Sequence, residues 1–297
     1  MRRRALLGAL PLLAAAACTA PAPTRSTSAT TSPAAAPVVS FDDLEAGFGA
    51  RLGVWARDTG SGVEVAHRAD ERFAFCSTFK VLAAAAVLRD VAPERLDAVV
   101  GYSPAELMTS ARITRDHVAT GMTVRELCDA AVRFSDGTAG NLLMREVGGP
   151  AGLTAFVRGI GDGVTRVDRI EPGLAQGTPG DVRDTSSPRA LGQDLQRIVL
   201  GDVLAGERRD LLQDLLVRNT TGDVRIRAGV PAGWRVADKT GTGGYGTAND
   251  VAVVWPPGRA PVVVALMSSR GKRYAEVDES LLAEAAGRVA SALTAPG

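Results

Sequence analysis

The periodicity of hydrophobic and polar positions changes along the chain, and each period predicts a different kind of element. Apolar residues recur at helical spacing among acidic ones in segment 41–50, which predicts an amphipathic helix. Segments 51–56 and 62–67 have strand character around a Gly-rich turn and predict a β-hairpin. The uninterrupted apolar run 81–88 is dense in helix formers and predicts a helix opened by Ser77.

The middle of the chain keeps helical periodicity and has little strand character. Five segments there predict helices: 124–134, 138–147, 152–159, 187–200 and 207–217. After Trp234 the pattern changes to that of strands. Three segments predict strands and a fourth predicts a closing helix: 234–239, 248–255 and 261–267, followed by 275–292.

The order of these elements predicts the fold class and the domain organisation. Strands at both ends enclose a helical middle, so the chain leaves an α/β layer and later re-enters it. We therefore expect an α/β lobe formed by about 40–76 and 218–297, with an all-α lobe of about 77–217 inserted into it. A cleft between two such lobes is a usual place for a ligand.

Residues 1–39 predict export rather than a folded structure. Segment 1–17 combines three arginines with a short apolar stretch, which predicts a signal peptide too short to span a membrane. The Sec and twin-arginine routes both stay open. Cys18 follows three alanines as in a bacterial lipobox, which predicts a lipidated membrane tether. Segment 18–39 is almost wholly Ala, Pro, Thr and Ser and predicts a disordered linker. We expect an exported protein, either lipid-anchored in the cell envelope or secreted, whose folded domain is 40–297.

Composition narrows the classes of function. The 297 residues carry a formal net charge of +1, so no basic excess favours nucleic-acid binding. Two cysteines remain after Cys18, and an exported chain allows a disulfide between them. Both Cys76 and Cys128 lie in apolar helical patterns, however, and this favours two free buried thiols.

The first chemical signal is a hydroxyl followed three residues later by an amine, Ser77 and Lys80. On a helix the two side chains share a face, and an amine that accepts the hydroxyl proton makes serine a good nucleophile. The N-terminus of the helix adds unpaired N–H groups suited to an oxyanion. The alternative interpretation is that Ser77 caps the helix while Lys80 extends to solvent, because this spacing alone is common.

Two further motifs follow the Ser77 and Lys80 motif along the chain. Ser135-Asp136-Gly137 lies between two predicted helices, where Ser135 can relay a proton to a leaving nitrogen or merely cap the next helix. Lys239, Thr240 and Gly241 lie at the predicted end of a strand. A lysine and hydroxyls there can bind a carboxylate, and glycine permits close approach of a ligand, although Gly-rich strand ends are also ordinary.

In this order the three motifs resemble those of class A serine β-lactamases, and the resemblance extends from about residue 41 to the C-terminus. A fourth stretch, 169–185, resembles the Ω-loop of that family, with Glu171 at the position of the deacylating base. Arg169 and Asp184 would pin its ends through a charge-assisted pair. The resemblance implies a β-lactamase/transpeptidase-like fold, an antiparallel β-sheet flanked by helices with an all-α insertion. It also implies hydrolysis of penicillin- and cephalosporin-type antibiotics, and resistance to them.

The resemblance implies a role for each site residue. Ser77 attacks the lactam carbonyl and loses its proton either to Lys80 or, through a water, to Glu171. Ser135 passes a proton to the departing nitrogen, and Glu171 then activates the water that frees Ser77. The backbone N–H groups of Ser77 and Thr242 would form the oxyanion hole. Five residues are implied in substrate binding: Lys239, Thr240, Gly241, Thr242 and Arg225.

The partners implied are correspondingly few. A small-molecule β-lactam is the substrate, with no nucleic acid, no cofactor and no metal, and a monomer is expected. The two histidines, His67 and His117, have no companions at metal-ligand spacing, and their scarcity argues against a Ser-His-Asp triad.

Three positions depart from the family pattern. Gly137 stands where an Asn is usual and Ser110 where an aromatic residue is common, and both predict a more open cleft. Ala175 replaces an Asn that commonly helps hold the deacylating water, which predicts slower deacylation of some substrates. Two rival interpretations stay open: a D,D-peptidase, against which Glu171 argues, and a penicillin-binding sensor that acylates and stalls, which only Ala175 favours.

Overall fold

The computed structural model describes residues 39–294, so the predicted signal peptide, Cys18 and almost all of the predicted linker lie outside the described residues. The described helices, in chain order, are α1 Asp42–Phe48, α2 Phe79–Asp90, α3 Pro93–Leu96, α4 Val124–Arg133, α5 Gly137–Glu146, α6 Gly149–Gly159, α7 Pro188–Val199, α8 Gly206–Val217, α9 Ile226–Gly229 and α10 Ser280–Thr294. The strands are β1 Arg51–Asp58, β2 Glu64–His67, β3 Phe73–Ala74, β4 Val99–Val100, β5 Met122–Thr123, β6 Thr185–Ser186, β7 Arg235–Gly243, β8 Thr247–Trp255 and β9 Val262–Ser269. No helix in this part of the chain is long and apolar enough to cross a membrane.

The central sheet has five strands in the order β2-β1-β9-β8-β7, and each neighbouring pair is antiparallel. The predicted hairpin is present as β1 and β2. Strand β1 lies beside β9, which comes from the other end of the chain, with Trp55 opposite Ala265. The sheet is therefore complete only when both ends of the domain have come together, and β7 is left as an edge strand.

Alternation along β1 assigns its side chains to the two faces of the sheet. Leu52 and Val54 are buried in a cluster that includes Leu282 of α10, whereas Trp55 belongs to a second cluster with Leu191 of α7. Each fully buried side chain of this size contributes about 1.5–3 kcal/mol to folding relative to an exposed one. The sheet is thus covered by helices on both faces, as a mixed α and antiparallel-β architecture requires.

Helix α2 is buried on every side along its apolar run, from Phe79 to Leu88. It packs among helices of the inserted region, including α4, α5, α6 and α8. Because no face of this run meets water, it has no polar stripe, and Lys80 is the one charged side chain buried in it.

Short strands connect the segment before Ser77 to the loop that carries Glu171. Strand β3 pairs with β6, with Phe73 opposite Ser186, and the N–H of Phe75 donates to the carbonyl of Asp184 at 3.2 Å. The end of the 169–185 loop is therefore held against the residues that lead into α2.

The structure corrects three local predictions. Ser77 lies in a 3₁₀ turn, Cys76–Thr78, before α2 begins. The Lys239 motif lies inside β7 rather than at a strand end, because pairing with β8 continues to Gly243. The closing helix starts at Ser280 instead of residue 275. Cys76 and Cys128 are free and buried, as predicted, and burial raises the pKa of each thiol to about 12.

Candidate active site

The predicted nucleophile lies beside the predicted amine. Cys76 adopts a left-handed conformation, with φ of 48°, immediately before Ser77, and Lys80 follows in the first turn of α2. The ammonium of Lys80 donates to the hydroxyl of Ser77 at 2.8 Å and to Oε1 of Glu171 at 2.7 Å. A third hydrogen bond goes to the carbonyl oxygen of Ser135 at 3.0 Å. All three ammonium protons therefore have acceptors.

Burial and charge act on Lys80 in opposite directions. Complete burial lowers the pKa of Lys80 because the charged form loses solvation, while the Glu171 carboxylate works against that shift. The ion pair is buried on both sides, since Lys80 is wholly inaccessible and Glu171 is 7% exposed. Removing either partner would leave an uncompensated buried charge.

Ser135 is presented by a loop that the next residue holds in place. Ser135 lies between α4 and α5 with φ of 55°, and Asp136 caps α5 by accepting from the N–H of Ala139 at 2.9 Å. The same carboxylate accepts from the N–H groups of Ile113 and Thr114, both at 2.9 Å. Asp136 therefore fastens a separate segment, 108–114, to the Ser135 loop.

Glu171 is held by its backbone as well as by Lys80. The side-chain amide of Asn141 donates to the carbonyl of Glu171 and accepts from its N–H, both at 3.0 Å. The carboxylate also accepts from the hydroxyl of Ser77 at 3.2 Å. At the ends of the same loop, Nε of Arg169 lies 2.5 Å from Oδ2 of Asp184, the predicted ion pair.

Lys239 approaches the site from the sheet. Its ammonium donates to the hydroxyl of Ser135 at 3.1 Å and to the carbonyl of Thr240 at 2.9 Å. Burial, together with the positive charges of Lys80 and Arg225, lowers the pKa of Lys239 to about 7. A substrate carboxylate placed beside it would favour its charged form.

The rest of the β7 motif is supported by Arg225. Its guanidinium donates to the hydroxyl of Thr242 at 2.7 Å and to the carbonyl of Gly241 at 2.9 Å, and it forms an ion pair with Glu279. A Cβ atom at Gly241 would lie 2.6 Å from the carbonyl oxygen of Phe75. Glycine at this position therefore lets β7 approach the turn that carries the nucleophile.

These residues meet at a cleft of about 440 Å³. Six predicted site residues line it: Ser77, Ser135, Glu171, Arg225, Thr240 and Thr242. The other three, Lys80, Lys239 and Gly241, are adjacent to these and connected to them by the hydrogen bonds above. Sequence reasoning missed Asn141, Thr221 and Glu279. The hydroxyl of Thr221 lies 2.6 Å from that of Thr240, and nothing in the local pattern of either segment indicates this contact.

Among the described residues, one group of possible metal ligands comes together, and it lies outside the cleft. Atoms of Asp42, Glu45 and His67 lie within 4.8 Å of one another. Glu45 is already engaged, because it forms an ion pair with Arg68 at 2.8 Å and accepts from the N–H of Leu52 at 2.7 Å.

Comparisons with known proteins agree with this geometry. The model of the β-lactamase enzyme family matches residues 38–294. A β-lactamase of Amycolatopsis lactamdurans is 60% identical over 265 residues, which are 89% of this chain and 88% of that one. The chain belongs to the class A serine β-lactamase family.

Further relatives and solved structures support the assignment. A β-lactamase of Mycobacterium tuberculosis is 48% identical over 98% of this chain and 97% of its own. The crystal structure of the class A β-lactamase from Clostridium kluyveri is 46% identical, with a TM-score of 0.84, and covers 86% of this chain and 97% of its own. The β-lactamase of Streptomyces albus G gives a TM-score of 0.82 at 48% identity, over 84% and 97%. As a member of this family the protein is a β-lactam-hydrolysing enzyme, an activity that confers antibiotic resistance.

In this class A β-lactamase the room left by Gly137 is occupied rather than open. A Cβ atom at Gly137 would lie 2.5 Å from Oε2 of Glu171 and 3.2 Å from Cβ of Met108, and it would also collide with the hydroxyl of Ser110. The more open cleft expected from Gly137 stays a prediction, since these contacts describe only the space next to its Cα atom. The glycine instead lets Ser110 and the Glu171 carboxylate pack against the start of α5.

Proposed function

We propose that Ser77 is the nucleophile that opens the β-lactam ring and that Glu171 serves the hydrolysis of the resulting ester. The observation that carries this proposal is the short network joining Ser77, Lys80 and Glu171, with every contact between 2.7 and 3.2 Å. A hydroxyl so placed is activated by a neighbouring base. The same carboxylate then stands beside the ester carbon, where it can activate a water.

We assign Glu171 as the first proton acceptor in the state where Lys80 is charged. Lys80 uses all three ammonium protons as a donor, so in this state it has no lone pair to accept the proton of Ser77. The Ser77 hydroxyl donates to Glu171. During attack the Ser77 oxygen forms the bond to the carbonyl carbon while its proton moves to Glu171, and Lys80 stabilises the negative charge that develops.

Departure of the ring nitrogen requires a proton, and Ser135 is the group we assign to this step. Its hydroxyl accepts from Lys239, and its carbonyl accepts from Lys80. As the carbon–nitrogen bond breaks, Ser135 gives its proton to the nitrogen and takes one from the ammonium of Lys239. Glu171 then releases to solvent the proton that it took from Ser77, and Lys239 takes one up, so that Glu171 is again a carboxylate when it activates the hydrolytic water. We assign the oxyanion to the backbone N–H groups of Ser77 and Thr242.

The substrate carboxylate is assigned to the β7 side of the cleft. Lys239, Thr240 and Thr242 offer an ammonium and two hydroxyls there, while Gly241 keeps the strand close to the nucleophile. Arg225 adds a positive charge, although its guanidinium is already engaged with Thr242 and Glu279. Charge-assisted hydrogen bonds of this kind are about twice as strong as neutral ones.

Export and attachment to a membrane are proposed from the sequence alone. The basic and apolar stretch of 1–17 and the alanines before Cys18 support secretion with lipidation of Cys18, after which segment 18–39 would act as a tether. Replacing Cys18 by Ser in the full chain should move the enzyme from the membrane fraction into the medium. Equal membrane retention of both forms would contradict lipidation. We further propose that the enzyme is a monomer, and light scattering of the secreted form tests this.

Turnover kinetics test the catalytic proposal. We expect repeated turnover of a chromogenic cephalosporin by the intact enzyme and no turnover by Ser77→Ala. A single stoichiometric burst would instead indicate a sensor that acylates and stalls, an outcome that Ala175 makes worth testing. Release of D-Ala from a peptidoglycan stem peptide would indicate a D,D-peptidase.

A further inference from the structure

One positively charged side chain in the catalytic cleft is not used by the proposed mechanism. Two arginines line the cleft, Arg112 and Arg225. Arg225 is buried and bonded to Glu279, Gly241 and Thr242. Arg112 is exposed, and within residues 39–294 its side chain has neither a hydrogen-bond acceptor nor a carboxylate within 4.0 Å.

The backbone on both sides of Arg112 is fixed relative to the nucleophile. The next two N–H groups, of Ile113 and Thr114, donate to the carboxylate of Asp136. On the other side the carbonyl of Ser110 accepts from the N–H of Gly137 at 3.4 Å, and Ala111 is almost fully buried. The segment is therefore tied to the loop of Ser135, whereas the guanidinium itself is unrestrained.

Arg112 also lies on a different wall of the cleft from the site assigned to the ring carboxylate. That carboxylate is assigned to β7, through Lys239, Thr240 and Thr242. Segment 108–112 forms part of the wall contributed by the helical region, close to Gly137 and Glu171. A group that reaches Arg112 must therefore be a second substituent of the substrate, extending away from β7.

We propose that Arg112 binds a second carboxylate, carried by the acyl side chain of the substrate, and that the enzyme thereby favours dianionic β-lactams over monoanionic ones. The planar guanidinium presents paired donors that match a carboxylate, and here they compete with no protein acceptor. This inference rests on the proposed function, because it presumes a lactam bound with its ring carboxylate at β7.

A pair of substrates that differ by one carboxylate tests the proposal. Benzylpenicillin and α-carboxybenzylpenicillin are compared by the ratio of their kcat/KM values in the full-length enzyme. We expect Arg112→Gln to lower the ratio of dianionic to monoanionic substrate about tenfold, with benzylpenicillin turnover nearly unchanged. Arg112→Lys keeps the charge but loses the paired donors, so it should recover part of the ratio.

Arg125→Gln is the matched control. It removes the same charge from an exposed arginine outside the cleft lining, which pairs with Asp97 at 3.0 Å. An unchanged ratio in Arg112→Gln would overturn the proposal. An equal fall in Arg125→Gln would also overturn it, because the effect would then come from the net charge of the protein rather than from contact with the substrate. Failure of the unaltered enzyme to turn over benzylpenicillin would instead contradict the proposed function itself.

Discussion

The side chain of Asn141 forms two hydrogen bonds with the backbone of Glu171. Its amide donates to the carbonyl and accepts from the N–H of the same residue, each at 3.0 Å. The carboxylate that must activate water is therefore positioned by helix α5 as well as by its ion pair with Lys80. This fixed placement matters because a displacement of about 1 Å in a catalytic group can cost roughly a hundredfold in rate.

Asn141→Ala should slow deacylation more than acylation, because Ser77 keeps its contact with Lys80 during acylation whereas activation of the water depends on Glu171 alone. The change leaves the N–H and carbonyl of Glu171 without partners, which costs about 1–3 kcal/mol and loosens the carboxylate. We expect the acyl-enzyme to accumulate during steady-state turnover, where mass spectrometry after rapid acid quench detects it. A variant that turns over more slowly without accumulating the adduct would argue against this role for Asn141.

Asp184→Ala should destabilise the protein by about 3 kcal/mol, because it removes a buried carboxylate that pairs with Arg169 and accepts from two backbone N–H groups. The Asp184 carboxylate accepts from the N–H groups of Asp168 and Arg169, at 2.8 and 2.9 Å, and its side chain is only 1% exposed. Urea unfolding measures the loss. Asp97→Ala is the control, since Asp97 is exposed and pairs with the exposed Arg125 at 3.0 Å. Equal stability of the two variants would contradict the account.

The fall of kcat/KM at alkaline pH, the alkaline limb of the pH profile, should reflect the deprotonation of Lys239. Its pKa is about 7 in the free enzyme, so the ammonium that binds the substrate carboxylate is present below that pH and is lost above it. The value of kcat/KM should therefore fall as the pH rises from about 7 to 9. Lys239→Arg keeps the charge throughout this range, so its limb should move to higher pH. An identical limb in both enzymes would assign the titration to another group.

A second pH effect concerns stability rather than activity. Burial, with the neighbouring carboxylate of Asp162, raises the pKa of Asp194 to about 9. The folded state then retains a proton that the unfolded chain releases near pH 4, and stability is lost as pH rises from about 4 to about 9. Asp194→Asn should remove this dependence.

The free energy of unfolding of Asp194→Asn should exceed that of the unaltered protein by on the order of a few kcal/mol at pH 8.5. At pH 4 the difference should nearly vanish. Unfolding by urea at both pH values measures it. Asp210→Asn, at an exposed position in α8, should show no such trend. A gain that is the same at both pH values would contradict the assigned pKa.

Local sequence patterns could predict the elements but not the contacts between distant segments. The Ser77 and Lys80 pair follows from a spacing of three residues, and the Arg169–Asp184 pair from a family motif. Asn141 instead meets Glu171 across 30 positions, a contact that depends on the packing of α5 against the loop. Tertiary pairing also extended β7 through its glycines, against their intrinsic preference.

The packing around Gly137 could not be inferred from the sequence. Glycine has no side chain, which suggested an empty space at this position, because the sequence does not show which neighbouring side chains pack there. The folded chain fills that space with Ser110 and the carboxylate of Glu171. Close packing of protein interiors makes such filling the general expectation.

The most direct measurement of the central claim is the fate of the acyl-enzyme in Glu171→Gln. Glutamine keeps the size of the side chain but cannot act as a base. Without the Glu171 carboxylate the pKa of the buried Lys80 falls further, so the neutral amine can accept the Ser77 proton and acylation should be slower but not abolished. Hydrolysis of the ester has no second base and should stop, which leaves Ser77 acylated. After incubation with benzylpenicillin, the intact mass should increase by one penicillin and stay increased for hours, and peptide mapping should locate the adduct on Ser77. Multiple turnover by Glu171→Gln at the rate of the unaltered enzyme would contradict the account.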